Sequence, residues 1–272
     1  MLKELGRNLG TTMALGLVLA FAAGCGGGEG GGEEGAAQGG EAAEGGAAQE
    51  QAPPIDMSTV GSISGSVSFQ GTAPEMEPID MSEEPTCAQK YEGQPMTQSV
   101  VVNDNGTLRN VFVYVKSGLP DVDFPVPQEP VVIDQAGCRY HPHVMGIRVG
   151  QTLQIKNSDG ILHNINAKPE MNRGFNISQP VEMATERKFS TPEIMVPVEC
   201  DVHGWMNAYV GVLDHPYFDT TGDQGSFTIE NLPPGAYVIE AWHEEYGTQT
   251  QEVTVGANES VQVDFTFGPE TA

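Results

Sequence analysis

Positive charge is scarce in this chain. Its 272 residues carry 12 Lys and Arg against 37 Asp and Glu, a formal net charge of −25. That sign excludes nucleic acid as a partner. It would steer the protein toward a basic patch on another protein, although acidic residues serve solubility equally well. Other things are missing too. There is no phosphate-binding glycine loop, no nucleophile and base in a recognisable arrangement, and no Cys-x-x-Cys-His for haem attachment. There are no internal repeats, and no helical periodicity longer than a turn or two beyond the N-terminal segment. These absences argue against an enzyme.

Long apolar runs are limited to one. Leu9 to Ala23 follows Lys3 and Arg7 and ends in Ala22-Ala23-Gly24-Cys25. The run is too short and too rich in small residues for a stable membrane span, and reads as a signal segment over 1–24. Its end resembles a bacterial lipobox, which implies lipidation at Cys25; the alternative is an ordinary signal peptide cut nearby. Residues 25–57 are Gly, Ala, Glu and Gln with almost no large apolar side chain, so they cannot bury enough surface to fold. A flexible coil of about 32 residues averages roughly 30 Å end to end, a tether. The implied location is the cell envelope, periplasm-facing or at the surface. Gly26 slightly favours the outer membrane, because an Asp there would favour the inner one.

What is present is a cluster of soft and borderline metal ligands. Cys200, His203 and Met206 lie within seven residues, and His163-Asn164 lies upstream. One thiolate, two imidazoles and a thioether form the ligand set of a mononuclear electron-transfer copper site. A short loop between two strands can bring Cys200, His203 and Met206 to one point. His163 must then come from a neighbouring strand end. Leu153 and Ile155 alternate with Gln154 and Lys156, and Val144, Gly146 and Arg148 alternate with Met145, Ile147 and Val149, which is half-buried strand patterning. The turn Asn157-Ser-Asp-Gly160 precedes His163. Structural zinc would want more than the single thiolate of this loop. A binuclear copper centre would want a second Cys where Gly204 stands, and a multicopper oxidase several His-x-His pairs where only His141-Pro-His143 exists.

Residues 131–213 thereby resemble the cupredoxins, the small blue copper proteins, with a Cys-x2-His-x2-Met loop most like that of amicyanin. The resemblance implies one type 1 copper ion held by His163, Cys200, His203 and Met206. It implies electron entry at a partly exposed His203 beside Trp205; a buried Trp205 that covers the site is the other possibility. Asn164 and Asp201 are candidates to tie the two ligand loops together by hydrogen bonds. Gly204 replaces the family's proline, and Asp201 sets an acid close to the metal.

The C-terminal part reads Asp219-Thr-Thr-Gly-Asp-Gln-Gly-Ser-Phe-Thr-Ile229 and Leu232-Pro-Pro-Gly-Ala-Tyr237, with strands expected over Gln251–Val255 and Ser260–Phe267. These pieces resemble the carboxypeptidase regulatory-like, transthyretin-like domain. Its usual first strand resembles Gly61-Ser-Ile-Ser-Gly-Ser-Val67, and its next Val111–Val115, both far upstream. The expected fold is therefore all-β: a Greek-key cupredoxin barrel or sandwich over 121–213, inserted in or joined to a transthyretin-like β-sandwich made from 58–120 and 214–272. With Cys25 lipidated and Cys200 on copper, Cys87 and Cys138 remain. Export to an oxidising compartment favours a disulfide between them; two unrelated thiols are the alternative. That bond would staple an excursion over 72–109 to the inserted domain.

The function implied is single-electron transport between exported redox partners, such as a c-type cytochrome, a respiratory complex or a dehydrogenase, with the membrane reached through the lipid. Copper binding and delivery, or a metal-free surface adhesion module, are the alternatives. His141 with His143, and His215 with His243, are further histidine pairs that metal or partner binding could use.

Overall fold

The computed structural model describes residues 54–269. The signal segment 1–24, the lipidation expected at Cys25 and most of the tether 25–57 lie outside the described residues. Within them the fold is nearly all β, with seventeen strands and one four-residue helix, α1 (Pro85–Ala88).

The strands form two sandwiches. In the first, β1 (Gly61–Phe69) runs antiparallel to β13 (Ser226–Leu232) and parallel to β16 (Ser260–Gln262) and β17 (Phe265–Phe267). The opposing sheet has the order β12 (Phe218–Thr220), β2 (Phe112–Ser117), β14 (Gly235–His243), β15 (Gly247–Val255). Ile63, Val67, Val113, Val115, Phe227, Ile229, Ile239 and Phe265 fill the space between these sheets. They recur at alternate positions because successive strand side chains point to opposite faces.

The chain leaves this sandwich after β2, builds the second one, and returns for β12. The second sandwich has a sheet ordered β5 (Val144–Arg148), β11 (Asn207–Leu213), β10 (Glu193–Glu199), β7 (His163–Ala167), β8 (Phe175–Gln179). Facing it is β4 (Arg139–His141), β3 (Val131–Ala136), β6 (Leu153–Asn157), β9 (Met183–Arg187). Strand β6 buries Leu153 and Ile155 and leaves Gln154 and Lys156 partly exposed, the alternation read from its sequence.

Strand β5 departs from that pattern, being buried on both faces. Its inner face, Met145 and Ile147, joins the core of the second sandwich, while Val144 packs with Phe112, Tyr114, Met195 and Leu213 in a seam between the sandwiches. Gly146 and Gly211 stand opposite one another across β5 and β11. A Cβ on Gly146 would lie 2.3 Å from the Phe218 ring, and one on Gly211 2.7 Å from Phe112 and Met195. The bare backbone of these two glycines lets aromatic rings of the first sandwich lie against the second sheet. Periodicity reports how many faces are apolar, not what covers the second one, so the seam was not legible there.

The excursion between β1 and β2 crosses to the second sandwich. Ile79, Met81 and Cys87 are part of its core, and Cys87 is joined to Cys138 by a disulfide. Closing a chain segment of 51 residues in this way removes freedom from the unfolded state, about 4 kcal/mol in the chain-entropy model.

Candidate metal centre

Strand pairing brings the candidate ligands together. Cys200 directly follows β10, and the loop that carries His203 and Met206 returns into β11, its antiparallel neighbour. Strand β7 pairs with the other edge of β10 and opens on His163. The loop is closed by its own hydrogen bonds: Cys200 N–H donates to Met206 O at 3.1 Å, and Met206 N–H to His203 O at 2.9 Å. His203 N–H donates to the Cys200 sulfur at 3.4 Å.

The donor atoms of His163, Cys200 and His203 lie within 4.8 Å of one another, and all three residues are buried. The two Nδ1 atoms face each other at 2.9 Å, and Cys200 Sγ is 3.8 Å from His203 Nδ1. Burial lowers the pKa of His163 below its ordinary value. His203 is lowered first by burial and then by the neighbouring His163. Both shifts favour the neutral ring, the form that binds metals. Two neutral imidazoles and a thiol turned toward one point fit a copper ion. Met206 is 1 % exposed and packs with Cys200 in the core of the second sandwich.

Asn164 and Asp201 lock the two ligand-bearing segments. Asn164 Oδ1 accepts from Asp201 N–H at 2.6 Å and from the Cys200 thiol at 3.3 Å. Asp201 accepts in turn from the side-chain amides of Asn166, Asn176 and Asn164. Those donors, Asn166 foremost, hold its carboxyl below the usual range. Tyr140 adds a hydroxyl donated to Asn164 O at 2.5 Å.

Three neighbours of the histidines were not foreseen. Asp159 Oδ2 lies 2.9 Å from His163 Nε2. Burial pushes its carboxyl up, but hydrogen bonds from Lys90, Cys138, His163 and Gly137 outweigh this and hold it low. Glu84 and the Cys87 sulfur each lie 3.9 Å from His203 Nε2. The sequence signal for Asp159 was the turn Asn157-Ser-Asp-Gly160. A ligand imidazole needs a partner for its second nitrogen, and an acid four residues before His163 can supply one. Nothing in the sequence pointed to Glu84.

The exposed edge expected for His203 is not found. His203 is 3 % exposed, covered by Cys87, by Glu84 and by Trp205, whose ring centre is 5.1 Å from its own. The half-buried indole donates to Cys138 O at 3.0 Å. The reason is the excursion, whose Glu84 and Cys87 both approach His203 Nε2. Beside the loop lies a cavity of about 440 Å³ whose lining includes Cys200, Gly204, Trp205, Met206, Gln98 and Glu245.

The other histidines are placed elsewhere. His141 is exposed, whereas His143 is buried against Glu244 Oε1 at 2.5 Å. His215 stacks on Tyr217, and His243 stacks on Tyr246 and packs against Phe267.

Residues 206–268 match the model of the carboxypeptidase regulatory-like domain. The match begins at Met206 and so takes in β11 of the second sandwich as well as β12–β17 of the first. No curated protein sequence matches the chain. Among solved structures, an oxidized amicyanin mutant is similar over 37% of this chain and 97% of its own, at 20% identity and a TM-score of 0.29. The Cu-containing nitrite reductase of Thermus scotoductus SA-01 is similar over 36% of this chain, at 18% identity and a TM-score of 0.30. The chain spans 24% of that reductase's length.

Proposed function

We propose that this protein is a type 1 copper protein that carries single electrons between exported redox partners, anchored to the cell envelope through lipid on Cys25. It is a carrier and not a catalyst. The observation that carries the reading is the convergence of His163, Cys200 and His203, all buried, with donor atoms within 4.8 Å. Copper, when bound, supplies a one-electron couple. His163, Cys200 and His203 would hold it, with Met206 as a weak fourth ligand. The chain's own contribution is rigidity. Asn164 fixes Cys200 and Asp201, Asp159 fixes the His163 ring, and the disulfide-linked excursion covers His203. A fixed site needs little rearrangement when charge changes, which suits rapid electron exchange.

Burial also weighs against delivery as the main role. A donor site has to be reached by the acceptor's ligands, and His203 and Cys200 are 3 % exposed each. Membrane attachment rests on the lipid signal at Cys25; no helix of the described residues is long and apolar enough to cross a membrane. The partner would be an exported redox protein with a basic face, such as a c-type cytochrome, a respiratory complex or a dehydrogenase, which the net charge of −25 would attract.

The test is an optical and paramagnetic resonance spectrum of the protein with one equivalent of Cu(II), beside Cys200→Ala. An intense visible thiolate-to-copper band with narrow copper hyperfine splitting, absent from the variant, is expected. An ordinary pale copper spectrum, or none, would reject the site.

A further inference from the structure

Helix α1 and the turns around it form a thin cover over the Nε2 side of the two site histidines. Ser82, Glu83, Pro85, Thr86, Gln89 and Lys90 are exposed, whereas Cys87 within α1 is buried, as is Cys138, to which it is bonded. The cover is held by the disulfide, by the Lys90–Asp159 ion pair at 2.8 Å and by Tyr91 Oη–H donating to Gly137 O at 2.5 Å. Under it, Cys138 Sγ, an Asp159 carboxylate oxygen and a His163 nitrogen lie within 4.8 Å of one another, a second potential ligand group. Cys87 Sγ is bonded to Cys138 Sγ and so belongs to the same cluster.

We propose that Cys87 and Cys138, once reduced, form with Asp159 a second metal site that takes Cu(I), on the far side of the ligand histidines from Cys200. The inference takes copper as the ion this protein binds and so rests on the reading given above. The donor chemistry supports it. A pair of thiolates prefers a soft monovalent ion, and the buried carboxylate adds a negative charge where Lys90 now supplies the counter-charge. The geometry supports it as well. The two Cα atoms are 5.6 Å apart, and metal–thiolate bonds are about 2.3 Å, so two sulfurs released from one another can hold one ion between them with little backbone movement. His163 keeps its Nδ1 for the first site, because its Nε2 is already turned to Asp159.

The chemistry balances with a small thiol as reductant. One R–S⁻ attacks a sulfur of the disulfide and forms a mixed disulfide. A second displaces the protein sulfur as R–S–S–R leaves. The disulfide gains two electrons and the two protein sulfurs take the two protons of the R–SH pair. Cu(I) then displaces both protons as the thiolates bind it. The oxidised protein would hold one copper, and the thiol-reduced protein two.

The test uses the full chain. It is reduced anaerobically with excess small thiol, freed of thiol, and titrated with Cu(I) against a chromophoric Cu(I) chelator beside the untreated protein. Reduction is expected to add one retained equivalent. Cys200→Ala should lower the count of both forms by one and leave the increment. The pair Cys87→Ser and Cys138→Ser should remove the increment. Blocking the reduced Cys200→Ala protein with iodoacetamide should remove it too, without relying on the folding of the serine variant. No increment on reduction, or an increment that survives alkylation in the Cys200→Ala background, overturns the proposal. Oxidised protein that retains no Cu(I) would count against the first site, while the increment would still decide the second.

Discussion

His163 Nδ1 faces His203 Nδ1 at 2.9 Å, while each ring turns its other nitrogen to a carboxylate: Asp159 at 2.9 Å for His163, Glu84 at 3.9 Å for His203. Two buried imidazoles are thereby set with the same edge inward. That orientation comes from residues outside the ligand motif, and it gives the first prediction.

Asp159→Asn removes the charged partner of His163 Nε2 and the anchor of Lys90. Loss of such a partner lowers metal affinity by roughly 10- to 100-fold. Chelator competition with Cu(II) should show a fall of that size. An unchanged affinity would mean that Asp159 serves only to hold the cover.

Asp201→Asn keeps the shape of the side chain and removes a negative charge next to Cys200. Negative charge favours the more positive ion, so its removal should raise the midpoint potential. Voltammetry of the copper-loaded variant decides this, and a potential that stays the same or falls would sink the idea.

Stability should fall in mild acid for a reason unrelated to copper. Burial pushes His215 and His243 down to about 4. Unfolded, each titrates near 6.5. Between those values the unfolded state binds more protons, so stability is full above about pH 6.5 and is lost as pH falls toward 4. Each histidine contributes on the order of 3 kcal/mol to that loss. Urea denaturation of the metal-free protein at a series of pH values should show the decline, and His243→Phe should flatten part of it. An equal slope in the variant would refute the assignment.

Gly146→Ala should destabilise the seam. Its new methyl would meet the Phe218 ring at 2.3 Å and the Phe112 ring at 2.8 Å. Overpacking of this kind costs about 1–3 kcal/mol. Gly222→Ala, where nothing lies within 4 Å of the added atom, is the control and should stay within about 0.5 kcal/mol. Thermal denaturation of both variants reads the difference directly, and equal melting temperatures would show that the seam yields freely.

Much of the local structure could be read from residue order. Leu153 and Ile155 alternate with Gln154 and Lys156 as β6 requires, and the Asn157–Gly160 turn delivers His163 to the start of β7. The spacing of Cys200, His203 and Met206 was informative because a strand-connecting loop of that length has few ways to close. The pairing of β1 with β13, and of β2 with β14, was legible only through the likeness of Gly61–Val67 and Val111–Val115 to pieces of one domain. Composition and periodicity say nothing about partners more than a hundred residues apart.

Residue order alone supplied the candidate donor set, one thiol, two imidazoles and a thioether in an acidic, strand-rich chain. It did so because ligand identity and strand alternation are properties of neighbouring residues. The surroundings of that donor set came from folding. It covered His203 with an excursion 116 positions upstream, turned Asp159 and Glu84 toward the outer ring nitrogens, and buried β5 on both faces against a second sandwich. Those arrangements depend on which surfaces meet after folding. Burial and contact across the chain, not local pattern, set how enclosed the candidate ligands are and where a second pair of sulfurs comes to rest.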